Sequence, residues 1–146
     1  MTNTQRTKIV ELARNLIGKP YKYGAKPEEA PDFFDCSSFI QYIFKEVGIE
    51  LPRSTIMQAE VGTPVDIKDI QPGDLLFLHG VRGFYNRNFP QGIGHVILYI
   101  GGGKTIHAAS RRIQETPIVI EEGGVEENDL ETVIQKAGPL VVIKRN

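Results

Sequence analysis

The feature that most limits how this chain can fold is a change of apolar period near Gly62. Before that glycine, apolar side chains return every three or four residues; after it they come as short runs bounded by glycine and proline. In residues 4–17, Ile9, Val10, Leu12, Ala13, Leu16 and Ile17 share one helical face, and Gly18 with Pro20 supplies a stop. Residues 19–34 read as a loop holding Tyr21, Tyr23 and Gly24. A second helix begins at Asp35 or Cys36, with Phe39, Ile40, Ile43, Phe44 and Val47 on its stripe and Gly48 where a left-handed cap belongs. That unbroken stripe makes it the central, most buried helix. A short third helix has Ser54 as N-cap and ends at Gly62.

Strands are predicted at 75–78, after the turn Gln71-Pro72-Gly73-Asp74, and at 95–100 and 104–108 around Gly101-Gly102-Gly103. Residues 117–120 and 140–144 complete the set. Helices first and strands afterwards argue for an α+β fold, N-terminal helices packed on an antiparallel sheet of about five strands. No linker or repeat divides the 146 residues, so one domain over 1–146 is expected.

Composition excludes several function classes. Lys plus Arg number 17 against 18 Asp plus Glu, a net charge of -1, which leaves no basic field for nucleic acid or an anionic membrane. No apolar run is long enough to span a bilayer. The polar start, Met1 to Arg6, has no signal-peptide core. The chain as given is therefore expected in the cytoplasm, or exported if a leader was removed. A single cysteine rules out an intramolecular disulfide.

That cysteine, Cys36, falls at the start of the second helix, where unpaired N–H groups favour a thiolate and lower the thiol pKa. Taken alone, a lone cysteine is more often a small buried apolar residue. His95 opens a strand after Gly92-Ile93-Gly94 and supplies the imidazole that a cysteine nucleophile needs as base and then acid. His107 depends on the turn. A three-residue loop at 101–103 pairs Ile100 with Lys104, putting His107 opposite Ile97 and on the face of His95. That diagonal is about 7 Å, within reach of two imidazoles. A two-residue loop would put the histidines on opposite faces. On the longer turn His107 could orient the His95 ring as a third group, or simply be a core histidine. His79 is given no catalytic role. A zinc site from Cys36, His79, His95 and His107 lacks any short ligand pair and is set aside. Asp35 is either the helix N-cap or a partner for a substrate amine. Arg53 and Ser54 are either a solvated charge and a cap or part of a binding wall.

Laid in order, Pro20-Tyr21-Lys22-Tyr23-Gly24, Asp35-Cys36-Ser37-Ser38-Phe39, Leu51-Pro52-Arg53-Ser54-Thr55, Gln71-Pro72-Gly73-Asp74-Leu75, Gly94-His95-Val96 through Tyr99-Ile100-Gly101, and Ile106-His107-Ala108 resemble the NlpC/P60 family of cell-wall peptidases. Each piece is weak alone; together, in the family's order, they are specific. The resemblance implies a papain-like fold and a Cys36–His95–His107 triad, with the Cys36 N–H serving an oxyanion site. It puts Tyr23 beside the thiol and a substrate amine on Asp35 and Ser37. Peptidoglycan stem peptides are the implied partner, cut between D-γ-glutamyl and diaminopimelate or lysine, with no metal or organic cofactor. Related cysteine amidases of the CHAP type usually carry a carboxylate or Asn as third group, which His107 speaks against. A toxin-like hydrolase acting on another amide and a non-catalytic peptide-binding module are the other readings.

The sequence also departs from the family's pattern. Ser38 stands at a common glycine, Ala25 replaces a second glycine, and Ile97 occupies a frequent glycine position beside His107, where it would narrow the groove. Residues 79–94, with Arg82, Phe84, Tyr85, Arg87 and Phe89, form a long connection, read either as a surface loop or as a lid whose arginines meet a substrate carboxylate.

Overall fold

The computed structural model describes residues 1–80 and 83–146. Helix α1 runs Asn3–Asn15, α2 Cys36–Lys45, α3 Thr55–Ala59 and α4 Leu130–Ala137. The strands are β1 Thr63–Pro64, β2 Leu75–Leu78, β3 His95–Gly101, β4 Lys104–Gln114, β5 Ile120–Asp129 and β6 Leu140–Arg145. They form one antiparallel sheet in the order β1-β6-β2-β3-β4-β5. The expected α+β class with helices on an antiparallel sheet is what forms.

Helix α2 starts where its cap is strongest. Asp35 Oδ1 accepts from the Ser38 N–H at 2.8 Å, and Ser38 Oγ accepts from the Asp35 N–H at 2.9 Å. This reciprocal box satisfies two backbone donors at once. Ser38, a departure from the family's pattern, thus has a local structural task. Phe39, Ile40, Ile43 and Phe44 are fully buried against Leu75, Phe77, Val96 and Leu98. Each such side chain contributes about 1.5–3 kcal/mol through burial. Ile9 and Ala13 of α1 join the same core.

The sheet is apolar on both faces. Leu76, Leu78, Ile97 and Tyr99 point away from α2 and form a second cluster with Val133 of α4 and Ile143. That is why β2 and β3 read as continuous apolar runs rather than alternating ones. Helix α4 was not anticipated, although Leu130, Val133, Ile134 and Ala137 carry helical spacing.

The sheet of about five strands has six among the described residues, since Thr63–Pro64 also pairs with β6. Two other expectations need correction. Residues 117–120 are not a strand; the strand is Ile120–Asp129, which pairs with β4 along a hairpin much longer than 104–108 implied. The β3–β4 turn is also not the three-residue loop. Gly101 pairs with Lys104 across a two-residue turn, and a bulge after Tyr99 restores the pairs Tyr99↔Thr105 and Leu98↔Ile106. The extra residue in the bulge gives the register that the longer loop would have given. Gly101, Gly102 and Gly103 have φ of 96°, 61° and 74°, so this tight turn needs their conformational freedom.

Candidate active site

A cleft of about 860 Å³ runs over the N-terminus of α2 and the ends of β3 and β4. Strands β3 and β4 pair from Leu98↔Ile106 to the hairpin. Nearer the cleft, the Val96 N–H faces Cys36 Sγ. The thiol therefore sits at the mouth of β3, against the residue that follows His95 in the chain. Thr55 Oγ1 lies 3.5 Å from the sulfur.

Burial pushes the Cys36 thiol up, and the Asp35 charge adds to that; the Thr55 hydroxyl and the N–H groups of Val96 and Ser37 work in the opposite direction. The expectation of a pKa lowered by the helix start is thus overturned. Desolvation of a half-buried sulfur outweighs the favourable backbone groups.

His95 stands at the start of β3. His95 Nε2 is 2.6 Å from His107 Nδ1, with ring centroids 4.9 Å apart and planes at 69°. His107 Nε2 is 2.8 Å from Asn128 Oδ1 and 3.7 Å from Glu126 Oε1. Burial, reinforced by the neighbouring His107, lowers His95 to about 3. Burial also lowers His107, while Asn128 and Glu126 hold it up. Both rings are neutral at pH 7, so each has one bare nitrogen able to accept.

One wall of the cleft is built on Arg53. Its Nη2 lies 2.6 Å from both Asp35 Oδ2 and the Ala25 carbonyl, and its Nη1 donates to Ser37 Oγ at 2.7 Å. Asp35 therefore caps α2, as one of its two readings expected, and pairs with Arg53 at the same time. Ser54 is the N-cap of α3, accepting from the Met57 N–H, and also lines the cleft. The buried Ala25, at the other departure from the pattern, supplies the carbonyl that holds Arg53.

Of the opposite wall, sequence reasoning anticipated Tyr23 but not Ser110, Arg112 or Glu121. Tyr21, half-buried, hydrogen-bonds Ser110 and is near enough to Cys36 to feel its charge; burial first, then Cys36, raises its hydroxyl pKa. Ser110 Oγ donates to Glu121 at 2.5 Å, and Arg112 donates to Glu121 through Nε and Nη2 at 3.2 and 2.8 Å. Tyr23 is 57% exposed, its ring 5.4 Å from the Arg112 guanidinium. The tyrosine beside the thiol is thus Tyr21, and Tyr23 belongs to the rim.

Ile97 does not narrow the cleft. It is fully buried under α4 with Leu76, Leu78 and Tyr99. Residues 79–94 are tied down where described: Phe84 and Ile93 exchange backbone hydrogen bonds at 3.1 and 2.7 Å, Phe89 is buried, and Asn86 and Asn88 donate to Glu60 at 2.6 and 2.8 Å. Arg82 lies outside the described residues, and Arg87 is exposed. His79 Nδ1 lies 2.7 Å from the Gln91 carbonyl. Among the described residues, no group of three or more His, Cys, Asp or Glu is arranged to hold a metal ion.

The model of the NlpC/P60 family matches residues 18–131. The chain is 39% identical over 113 residues to a gamma-DL-glutamyl hydrolase of Bacillus subtilis (strain 168), covering 75% of this chain and 25% of that protein. It is 40% identical over 96 residues to a probable endopeptidase p60 of Listeria grayi, covering 66% of this chain and 16% of the other. The chain thus spans well under half the length of these curated relatives. Among solved structures, the NlpC/p60 domain of the peptidoglycan hydrolase SagA superposes with a TM-score of 0.70 at 27% identity, covering 97% of this chain and 98% of that one.

Proposed function

The chain belongs to the NlpC/P60 family, and from that premise we propose that it is a thiol peptidase that cuts peptidoglycan stem peptides between D-γ-glutamyl and diaminopimelate or lysine. The observation that carries this reading is the sequence of groups behind one thiol: Cys36 at a helix start, His95 at the adjoining strand end, and His107 at 2.6 Å from His95. The named activities of the gamma-DL-glutamyl hydrolase and the peptidoglycan hydrolase SagA support the substrate class.

In the first half-reaction the Cys36 proton passes to His95 and the sulfur attacks the γ-glutamyl carbonyl. The negative oxygen that forms lies over the N-terminus of α2, where the Cys36 N–H can donate to it. His95 then gives its proton to the departing amine, leaving a thioester. In the second, His95 takes a proton from water, hydroxide attacks the thioester, and the returning proton restores the thiol. Asp35 and Ser37 receive a substrate amine while Arg53 neutralises Asp35 and meets a carboxylate. Tyr21 contributes beside the thiol, and Tyr23 and Ser54 shape the groove.

Mass spectrometry of protein incubated with L-Ala-D-γ-Glu-diaminopimelate tests this. Release of the diaminopimelate fragment by the unaltered protein and none by Cys36→Ala is expected. An intact substrate with a reactive Cys36 would move the search to other amides and overturn the assignment.

A further inference from the structure

The cysteine reaction works only if one nitrogen of His95 is bare and faces the thiol. Nε2 of His95 is engaged with His107, so the nitrogen left for the thiol proton is Nδ1. Whether Nδ1 is bare is not decided by His95 itself. In two neutral rings joined Nε2 to Nδ1, either ring can donate to the other. If His107 donates from Nδ1, His95 Nε2 is the acceptor, its proton sits on Nδ1, and the base is blocked.

The far side of His107 breaks this symmetry. Two oxygens approach its Nε2: Asn128 Oδ1 at 2.8 Å and a Glu126 carboxylate oxygen at 3.7 Å. Both are on β5, Glu126 directly across from His107 and Asn128 two residues further along, diagonally on the same face. A nitrogen facing acceptors must carry the hydrogen, so His107 is protonated at Nε2 and bare at Nδ1. His107 Nδ1 then accepts from His95 Nε2–H, and His95 Nδ1 is left with a free lone pair.

We propose that Asn128, assisted by Glu126, is a positioning residue that fixes the tautomers of both histidines and so makes His95 Nδ1 the base for Cys36. This rests on the peptidase reading for its consequence, but the proton positions can be read without any substrate. When the thiol proton moves to Nδ1, His95 becomes the imidazolium and keeps its Nε2–H on His107. No proton has to leave His107 or Asn128. The device resembles the third group of a triad moved one step further out, since the third group here is itself an imidazole with two possible tautomers.

The test uses the whole chain labelled with nitrogen-15 in histidine. With three histidines, His79→Gln leaves two ring systems to assign. Long-range proton–nitrogen spectra at pH 7 should show both His95 and His107 protonated at Nε2 and bare at Nδ1. Either ring protonated at Nδ1 instead would overturn the proposal, whether or not the protein cuts any peptide. Asn128→Leu should scramble the pattern and lower kcat by roughly 10- to 100-fold with little change in KM. Asn128→Asp, which keeps an acceptor, should retain the tautomers and most of kcat. Unchanged spectra and kcat in a folded Asn128→Leu protein would equally overturn it. Loss of all peptide cleavage with the tautomers as stated would instead count against the peptidase reading alone.

Discussion

Arg53 and Asp35 form an ion pair beside the nucleophile, with Nη2 at 2.6 Å from Oδ2 while Nη1 reaches Ser37. The carboxylate that caps α2 is thereby neutralised, though its charge still works against ionisation of Cys36. Hydrogen bonds to charged groups contribute about 1.5–3 kcal/mol when partly shielded. Arg53→Ala should therefore lower kcat/KM by roughly 10- to 100-fold, mostly through KM. Arg53→Lys should recover little, since one ammonium cannot span Asp35, Ser37 and the Ala25 carbonyl. Steady-state kinetics on a stem peptide decides it; a Lys variant with full activity would reduce Arg53 to a point charge.

Tyr21 and Tyr23 separate cleanly by one hydroxyl each. Tyr21→Phe removes the hydroxyl nearest Cys36 and its bond to Ser110 and should cost roughly tenfold in kcat. Tyr23→Phe keeps the ring over Arg112 and should stay within about twofold. The opposite ranking would return Tyr23 to the thiol.

The pH dependence of alkylation follows from what surrounds the sulfur. Burial holds the Cys36 pKa above the ordinary thiol, so the rate with iodoacetamide should rise well into the alkaline range. Thr55→Val removes a group that favours the thiolate and should move that rise to higher pH. A plateau already reached by pH 6 in the unaltered protein would mean a resting thiolate and contradict the arrangement.

Stability should fall in acid for a definite reason. His95 is neutral in the folded state down to about 3, whereas in the unfolded chain it takes a proton near 6.5. The unfolded chain thus binds more protons between those values, and stability is lost as pH falls through the window. Thermal melts from pH 7 to 4 should show a declining Tm, and His95→Gln should flatten the decline. Equal slopes for both proteins would assign the acid loss to other groups.

Ile97 is a core residue, and its truncation should show that and nothing else. Ile97→Ala should cost about 2–5 kcal/mol in denaturant unfolding. It should not raise kcat/KM, because the side chain lies under α4 rather than in the cleft. A gain in activity would reinstate it as a groove residue.

The cysteine at a helix start, the two histidines on neighbouring strands and the capping role of Asp35 were legible in the chain because each depends on local spacing. The shared face of His95 and His107 was also reached, but from the wrong turn. The sequence could not reveal a bulge after Tyr99, since bulge and longer loop give the same downstream register. Tyr21 and Tyr23 were confused because a loop has no period from which an inward face can be read.

The residues by themselves determined the change from helices to strands, the α+β class and the amino acids available for chemistry. The tertiary structure alone decided how those groups are charged and aimed. Burial raises Cys36 despite its helix start, Arg53 reaches 18 residues back to Asp35, and Asn128 arrives from 21 residues away to hold His107. Desolvation and hydrogen-bond direction depend on what lies across the fold, and neither leaves a mark in local periodicity.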